Sequence, residues 1–176
     1  MIVLQPLASI DPAAVESLLD RAFGSDRHAR TAYKVRGRAQ AITALSFAAV
    51  DDGVLIGSIQ CWPIALDMDD GPVVPLVMVG PVAVAPDRQR DGIGRRLMAR
   101  TLAAADEGAA DTGAGLMLIG DPEYYGRFFG FTADRTALWR LAGPVERHRL
   151  LARGAGIPDA AGDLGPAVHA GATVPA

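Results

Sequence analysis

The hydrophobic period along the chain switches between two and about 3.6, and each switch predicts an element. Residues 2–7 form a short apolar-rich run and predict a first strand. Asp11 then precedes Pro12, and Val15, Leu18, Leu19 and Ala22 recur at helical spacing up to Gly24. An aspartate can accept from a first-turn amide, a proline at the first position leaves no amide unpaired, and glycine suits a helix end. Residues 25–38 lose the period and turn basic, with Arg27, His28, Arg30, Lys34, Arg36 and Arg38, and read as a loop and a short helix.

Strands are predicted at 45–50 and 54–64, joined by a tight hairpin turn at Asp51-Asp52-Gly53. A second acidic turn at 67–71 leads into a long strand at 73–84. That strand is apolar on both faces, which puts it near the centre of a sheet. Pro75 cannot donate to a ladder and marks a bulge or the strand's start. After a polar connection comes a helix at 92–108, with Ile93, Leu97, Met98, Thr101, Leu102 and Ala105 along one face. A buried strand at 116–119, a short helix at 122–129 and last strands from Phe131 and residues 138–141 complete the pattern. From Gly154 onward the chain is rich in Gly, Ala and Pro. Residues 154–176 are therefore expected as a loosely ordered tail outside the core of a single domain spanning 1–153. An antiparallel set followed by a strand–helix–strand unit predicts an α/β fold: a single mixed, mostly antiparallel sheet flanked by helices on both faces.

Composition narrows the function classes. The 176 residues carry 17 Lys and Arg against 20 Asp and Glu, so nothing drives general binding to nucleic acid or an anionic membrane. No apolar stretch approaches the roughly 18 residues of a membrane span, and residues 1–6 hold no basic-then-hydrophobic signal. The expected location is the cytoplasm. The one cysteine, Cys61, lies in an apolar run and reads as a small buried hydrophobe. His28, His148 and His169 show no metal spacing, so no metal is expected.

The segment from Val82 to Gly94 runs strand, loop, helix, with the loop Gln89-Arg90-Asp91-Gly92-Ile93-Gly94 at the turn into the helix. Free first-turn amides and the helix dipole favour an anion there, and a diphosphate fits that place. Arg88, Arg90, Arg95 and Arg96 add positive charge around it. Neither a G-x-x-x-x-G-K-[ST] loop nor a dinucleotide G-x-G-x-x-G after a first strand occurs.

This loop resembles the Q/R-x-x-G-x-G/A motif of the GCN5-related N-acetyltransferases, the GNAT family. Val82-Ala83-Val84-Ala85-Pro86 is similar to the family's V-x-P strand end. Asp121-Pro122-Glu123-Tyr124-Tyr125-Gly126, followed by Phe129-Gly130-Phe131, is similar to that of small bacterial YhbS-like members. The resemblance follows element order over 2–141 and is strongest over 79–131. It implies the acyl-CoA N-acyltransferase fold, with two central parallel strands that splay, and acetyl-CoA as co-substrate. It implies that the backbone of Val82, Ala83 and Val84 holds the pantetheine arm. The amides from Arg90 to Arg95 would hold the diphosphate, and the thioester would lie between Val84 and Leu118.

In the family a tyrosine on the helix after the second splayed strand often protonates the leaving thiolate. Tyr125 is favoured here, but one extra residue before Gly130 leaves Tyr124 open as well, and core packing remains a reading for each. No Asp, Glu or His lies on strand 73–84 to act as a base. Asp121 and Glu123 stand at the end of the next strand, with Asp121 better read as a helix cap. The implied acceptor is a primary amine of a small molecule or protein. The basic residues 27–38 fall where the family places a lid, or form a solvated face. Asp67, Asp69 and Asp70 attract a cationic amine or mark a turn. Residues 146–151 read as a short exposed helix, with a homodimer contact there left open. The competing functions are a non-catalytic acyl-CoA-binding sensor module and an acyltransferase acting on a hydroxyl group or with a longer acyl chain.

Overall fold

The computed structural model describes residues 1–110 and 115–167. Among these, eight strands join in one sheet: β1 (Ile2–Pro6), β2 (Phe47–Asp51), β3 (Val54–Met68), β4 (Val73–Val84), β5 (Leu116–Ile119), β6 (Trp139–Arg140), β7 (Leu150–Arg153) and β8 (Gly162–Pro166). The order is β1-β2-β3-β4-β5-β7, with β8 paired to β3 and β6. The β4–β5 and β6–β8 pairs are parallel, and the pairs β1–β2, β2–β3, β3–β8 and β5–β7 are antiparallel. The helices are α1 (Pro12–Phe23), α2 (Thr31–Arg36), α3 (Ile93–Asp106) and α4 (Pro122–Phe129). No helix among the described residues is long and apolar enough to cross a membrane.

The chain clusters into two compact units. The first contains Met1–Arg30, Ala41–Trp62 and Val79–Gly113; the second contains Thr31–Gln40, Pro63–Met78 and Ala114–Ala176. In the first unit, Asp52 and Gly53 both take positive φ (47° and 81°), as a two-residue primed turn requires. Asp11 accepts from the Ala13 amide at 3.1 Å, and Gly24 closes α1 with its amide on the Asp20 carbonyl at 2.8 Å. Side chains alternate along β2. Ala48 and Val50 pack in one cluster with Leu18 and Leu19 of α1, whereas the Phe47 ring lies under the Arg100 guanidinium of α3, 4.4 Å from its centroid. Helices α1 and α3 therefore cover opposite faces of this part of the sheet. Cys61 is fully buried, and burial pushes its thiol up to about 12. It stays protonated at neutral pH and has no character as a nucleophile.

In the second unit the β4–β5 ladder runs over Val77↔Leu116 and Met78↔Met117 and ends there, although both strands continue. Beyond that point β5 still pairs with β7, through Leu118↔Leu151 and Ile119↔Leu150. Two expectations are corrected here. Residues 146–151 are not an exposed helix: only Arg147–Arg149 form a single 3-10 turn, and Leu150 and Leu151 are buried in a strand. The expected loose tail contributes β8, which pairs with β3 from Ile64↔Pro166 to Met68↔Gly162, and places Ile157 and Leu164 in the core. A Cβ on Gly162 would stand 2.5 Å from the Asp67 carbonyl oxygen, so glycine is what lets β8 lie against β3. The same pairing carries β3 on to Met68, past its expected end at residue 64. Residues 168–176, including His169, lie outside the described residues.

Candidate cofactor and catalytic site

All the residues expected to hold the cofactor fall in the first unit. Residues 82–84 end β4, and the Ala85 amide ties that end to the Ile56 carbonyl at 2.9 Å. Pro86–Arg88 form a 3-10 turn, Gln89 to Asp91 continue it, and Gly92 enters α3 at φ +70°. That left-handed geometry suits glycine, and a Cβ there would meet no atom within 4 Å. No side chain caps the start of α3, and its first turn holds no acidic residue. Ile93 is buried, whereas a Cβ on Gly94 would make only ordinary 3.8 Å contacts with Val82 and Val84. Those two side chains thus share the α3 face, and Ala83 turns to the α1 cluster. An uncapped helix start, glycine-lined and free of carboxylates in its first turn, fits a diphosphate.

The arginines divide. Arg88 is taken up by Asp91 at 2.5 Å and Asp51 at 3.1 Å, so it braces the loop. Arg96 donates to the Ile2 carbonyl at 3.3 Å. Gly57 was not singled out by sequence and is needed here: a Cβ on it would stand 2.7 Å from Ile93 and 3.1 Å from Leu97. Its absence lets the start of α3 close down on β3. A lone glycine inside an otherwise strand-like run was the available signal.

The tyrosines fall in the second unit. Asp121 accepts from the Glu123 amide at 3.0 Å and Pro122 occupies the first helical position, so Asp121 is the cap of α4. Gly130 ends the helix at φ +73°. The Tyr125 ring packs over Gly120 and against an aromatic group of Tyr124, Phe129 and Phe131, with centroids 4.9, 6.3 and 6.5 Å away. Burial is the main cause that pushes its hydroxyl up to about 12; Tyr124 and Asp121 add to it, and Arg149 opposes it. Tyr124 also packs beside Phe128 and Phe129, with centroids 5.5 and 5.8 Å away. Gly120 is a second residue that sequence reasoning missed. A Cβ there would stand 2.5 and 2.7 Å from Cε2 and Cδ2 of Tyr125. We expect Gly120→Ala to push the ring out of its seat and destabilise the protein by about 1–3 kcal/mol in a denaturant titration.

The remaining candidates resolve structurally. Arg27 is not on a solvated face: it is 2% exposed, pairs with Asp20 at 2.9 Å and also with Glu16, and so ties the loop to α1. Asp69 is engaged by Arg140, which holds its carboxyl below the usual range, and Arg140 also reaches Asp163 at 2.8 Å. Among the described residues, no group of three or more His, Cys, Asp or Glu side chains could hold a metal ion.

Comparison with known proteins places this geometry in context. The family described as "Acetyltransferase (GNAT) domain" matches residues 5–132. No curated protein matches the chain. The GNAT family N-acetyltransferase YhbS from Escherichia coli, solved in complex with CoA, is 23% identical. The alignment covers 95% of this chain and 89% of that one at a TM-score of 0.70. A GNAT family acetyltransferase from Brucella melitensis, in complex with acetyl-CoA, is 24% identical over 90% and 99% of the two chains (TM-score 0.52). An acyl-CoA N-acyltransferase from Pseudomonas aeruginosa is 20% identical over 88% and 99% (TM-score 0.55). At these identities the likeness establishes a shared fold.

Proposed function

Because the chain belongs to the GNAT acetyltransferases, we propose that it transfers the acetyl group of acetyl-CoA to a primary amine by direct attack in a ternary complex. The observation that carries the cofactor half of this reading is the start of α3, uncapped by any side chain, with open space around Gly92. The amides of residues 90–95, with Gln89 at the loop's entry, hold the diphosphate, and the backbone of Val82, Ala83 and Val84 holds the pantetheine arm. The solved relatives with CoA or acetyl-CoA bound support that choice of ligand.

Three demands fall on the protein in this reaction. The amine nitrogen forms a bond to the acetyl carbonyl carbon, and the carbonyl oxygen takes up negative charge. A backbone amide of residues 82–84 meets that oxygen. Collapse breaks the carbon–sulfur bond, and Tyr125 gives its phenolic proton to the departing sulfur. Held up at about 12, the phenol is protonated at neutral pH, and as a weak acid it yields its proton only as negative charge builds on the departing sulfur. Tyr124, on the same helix, is the alternative donor. Asp121 is occupied as a cap, so the amine loses its surplus proton to water, before binding or through an ordered chain.

The acceptor is a small-molecule or protein amine. Thioester consumption measured over a panel of amines tests the proposal, with at least one amine expected to accelerate it. CoA binding with no turnover on any acceptor would instead favour a non-catalytic acyl-CoA-binding module, a reading that the lack of any carboxylate or histidine on β4 supports.

A further inference from the structure

Gly80 interrupts β4 at φ +117°, a conformation that glycine alone adopts without strain. Its carbonyl is taken by a side chain of β3: the indole Nε1 of Trp62 donates to it at 2.7 Å. Trp62 is 7% exposed, which makes this grip a fixed part of the core. The end of this stretch is tied by the Ala85 amide to the Ile56 carbonyl at 2.9 Å, and β4 is hydrogen-bonded to β3 in the sheet. Pro81 has no amide, so the first donor after the grip is Val82.

We propose that Trp62 is a positioning residue for acyl transfer: by holding the Gly80 carbonyl it aims the Val82 amide at the acyl carbonyl of the bound thioester. The inference rests on the proposed cofactor site. With the diphosphate at the start of α3 and the arm running back along residues 84 to 82, the thioester end falls at Val82, two residues from Gly80 and further along β4 than the place between Val84 and Leu118 that the family resemblance implies. Gly80 is two residues from Val82, nearer than the tie at Ala85, which lies three residues or about 10 Å of strand away. A displacement of about 1 Å at a reacting carbonyl can cost on the order of 100-fold in rate. The buried indole, with its N–H committed to the backbone, supplies rigidity at that point.

Amide resonances of isotopically labelled protein, recorded with CoA and then with acetyl-CoA, test this without any acceptor. In the wild type, the change of ligand should move the Val82 amide and the Trp62 indole N–H. The indole is identified by comparison with Trp139→Phe, since the chain has two tryptophans. In Trp62→Phe, which keeps the ring but removes the donor, the Val82 response should collapse while the calorimetric affinity for CoA stays within about twofold. With an active amine, kcat should fall at least about tenfold. An indole and a Val82 amide that do not respond in the wild type overturn the inference without any variant at position 62. A Trp62→Phe protein that keeps the wild-type Val82 response overturns it too, as does one whose kcat and CoA affinity fall together. A wild type that binds neither CoA nor acetyl-CoA overturns the cofactor site itself, a failure visible before the variant is made.

Discussion

Replacing Gly92 by aspartate should weaken CoA binding by tenfold to a hundredfold in calorimetry while leaving the melting temperature nearly unchanged. Gly92 sits at φ +70°, and after glycine, aspartate and asparagine are the residues that enter this region most readily. A Cβ there meets no atom within 4 Å, so nothing in the protein needs to move. The carboxylate therefore stands at the mouth of the amide cluster, where it can cap the first turn of α3 itself. It also repels the diphosphate: two like charges about 4 Å apart near a surface interact by about 4 kcal/mol before salt screening. Even a third of that lowers affinity about tenfold. Gly92→Asn separates the causes, because it offers the same cap without the charge and should lie between wild type and aspartate. Wild-type affinity in a folded Gly92→Asp protein would falsify the diphosphate site.

Tyr125→Phe should lower kcat on the order of 100-fold, the low end for loss of a general acid, with CoA affinity unchanged. Phenylalanine keeps the ring that packs over Gly120 and beside Phe129 and Phe131, so the fold is preserved and the hydroxyl alone is removed. Tyr124→Phe should stay close to wild type; if that variant loses turnover and Tyr125→Phe does not, the proton donor is Tyr124. The pH profile carries a second signature. An ordinary tyrosine ionises near 10, whereas Tyr125 is held up at about 12, chiefly by burial. Its loss as an acid should therefore not depress kcat below about pH 11. The sign for stability follows from linkage. The folded chain keeps this proton more tightly than the unfolded one. The stabilisation is complete below the unfolded value near 10 and is lost as pH rises toward 12. Tyr125→Phe should flatten that alkaline decline in a melting series.

Several elements were legible because their signals are local. Asp11-Pro12 and Asp121-Pro122 each put a carboxylate acceptor before a proline, and both became capped helix starts. Asp52-Gly53 has the residues that a primed turn needs, and it became one. The apolar run of β4 marked a strand with neighbours on both sides, as found. The glycine-lined entry to α3 could also be located from sequence, since strand, loop and helix follow one another directly there.

What the chain could not reveal by itself depends on partners distant in sequence. The segment Gly162–Pro166 has a single large apolar residue, Leu164, and little strand propensity; it becomes a strand because the end of β3 offers it a ladder. Leu150 and Leu151 follow three basic or imidazole side chains and look like a helix face until β5 pairs with them. Arg27 is buried only because Glu16 and Asp20 of α1 come to it. Gly57 and Gly120 matter for what they leave out: the helix that uses the first space is far along the chain at Ile93 and Leu97, and the Tyr125 ring that uses the second, though close in sequence, reaches it only because α4 folds back over Gly120. Capping, turns and amphipathic period are energies of neighbours along the chain, so sequence determined them. Strand pairing, buried ion pairs and close packing are energies between segments far apart, so only the tertiary structure could decide them.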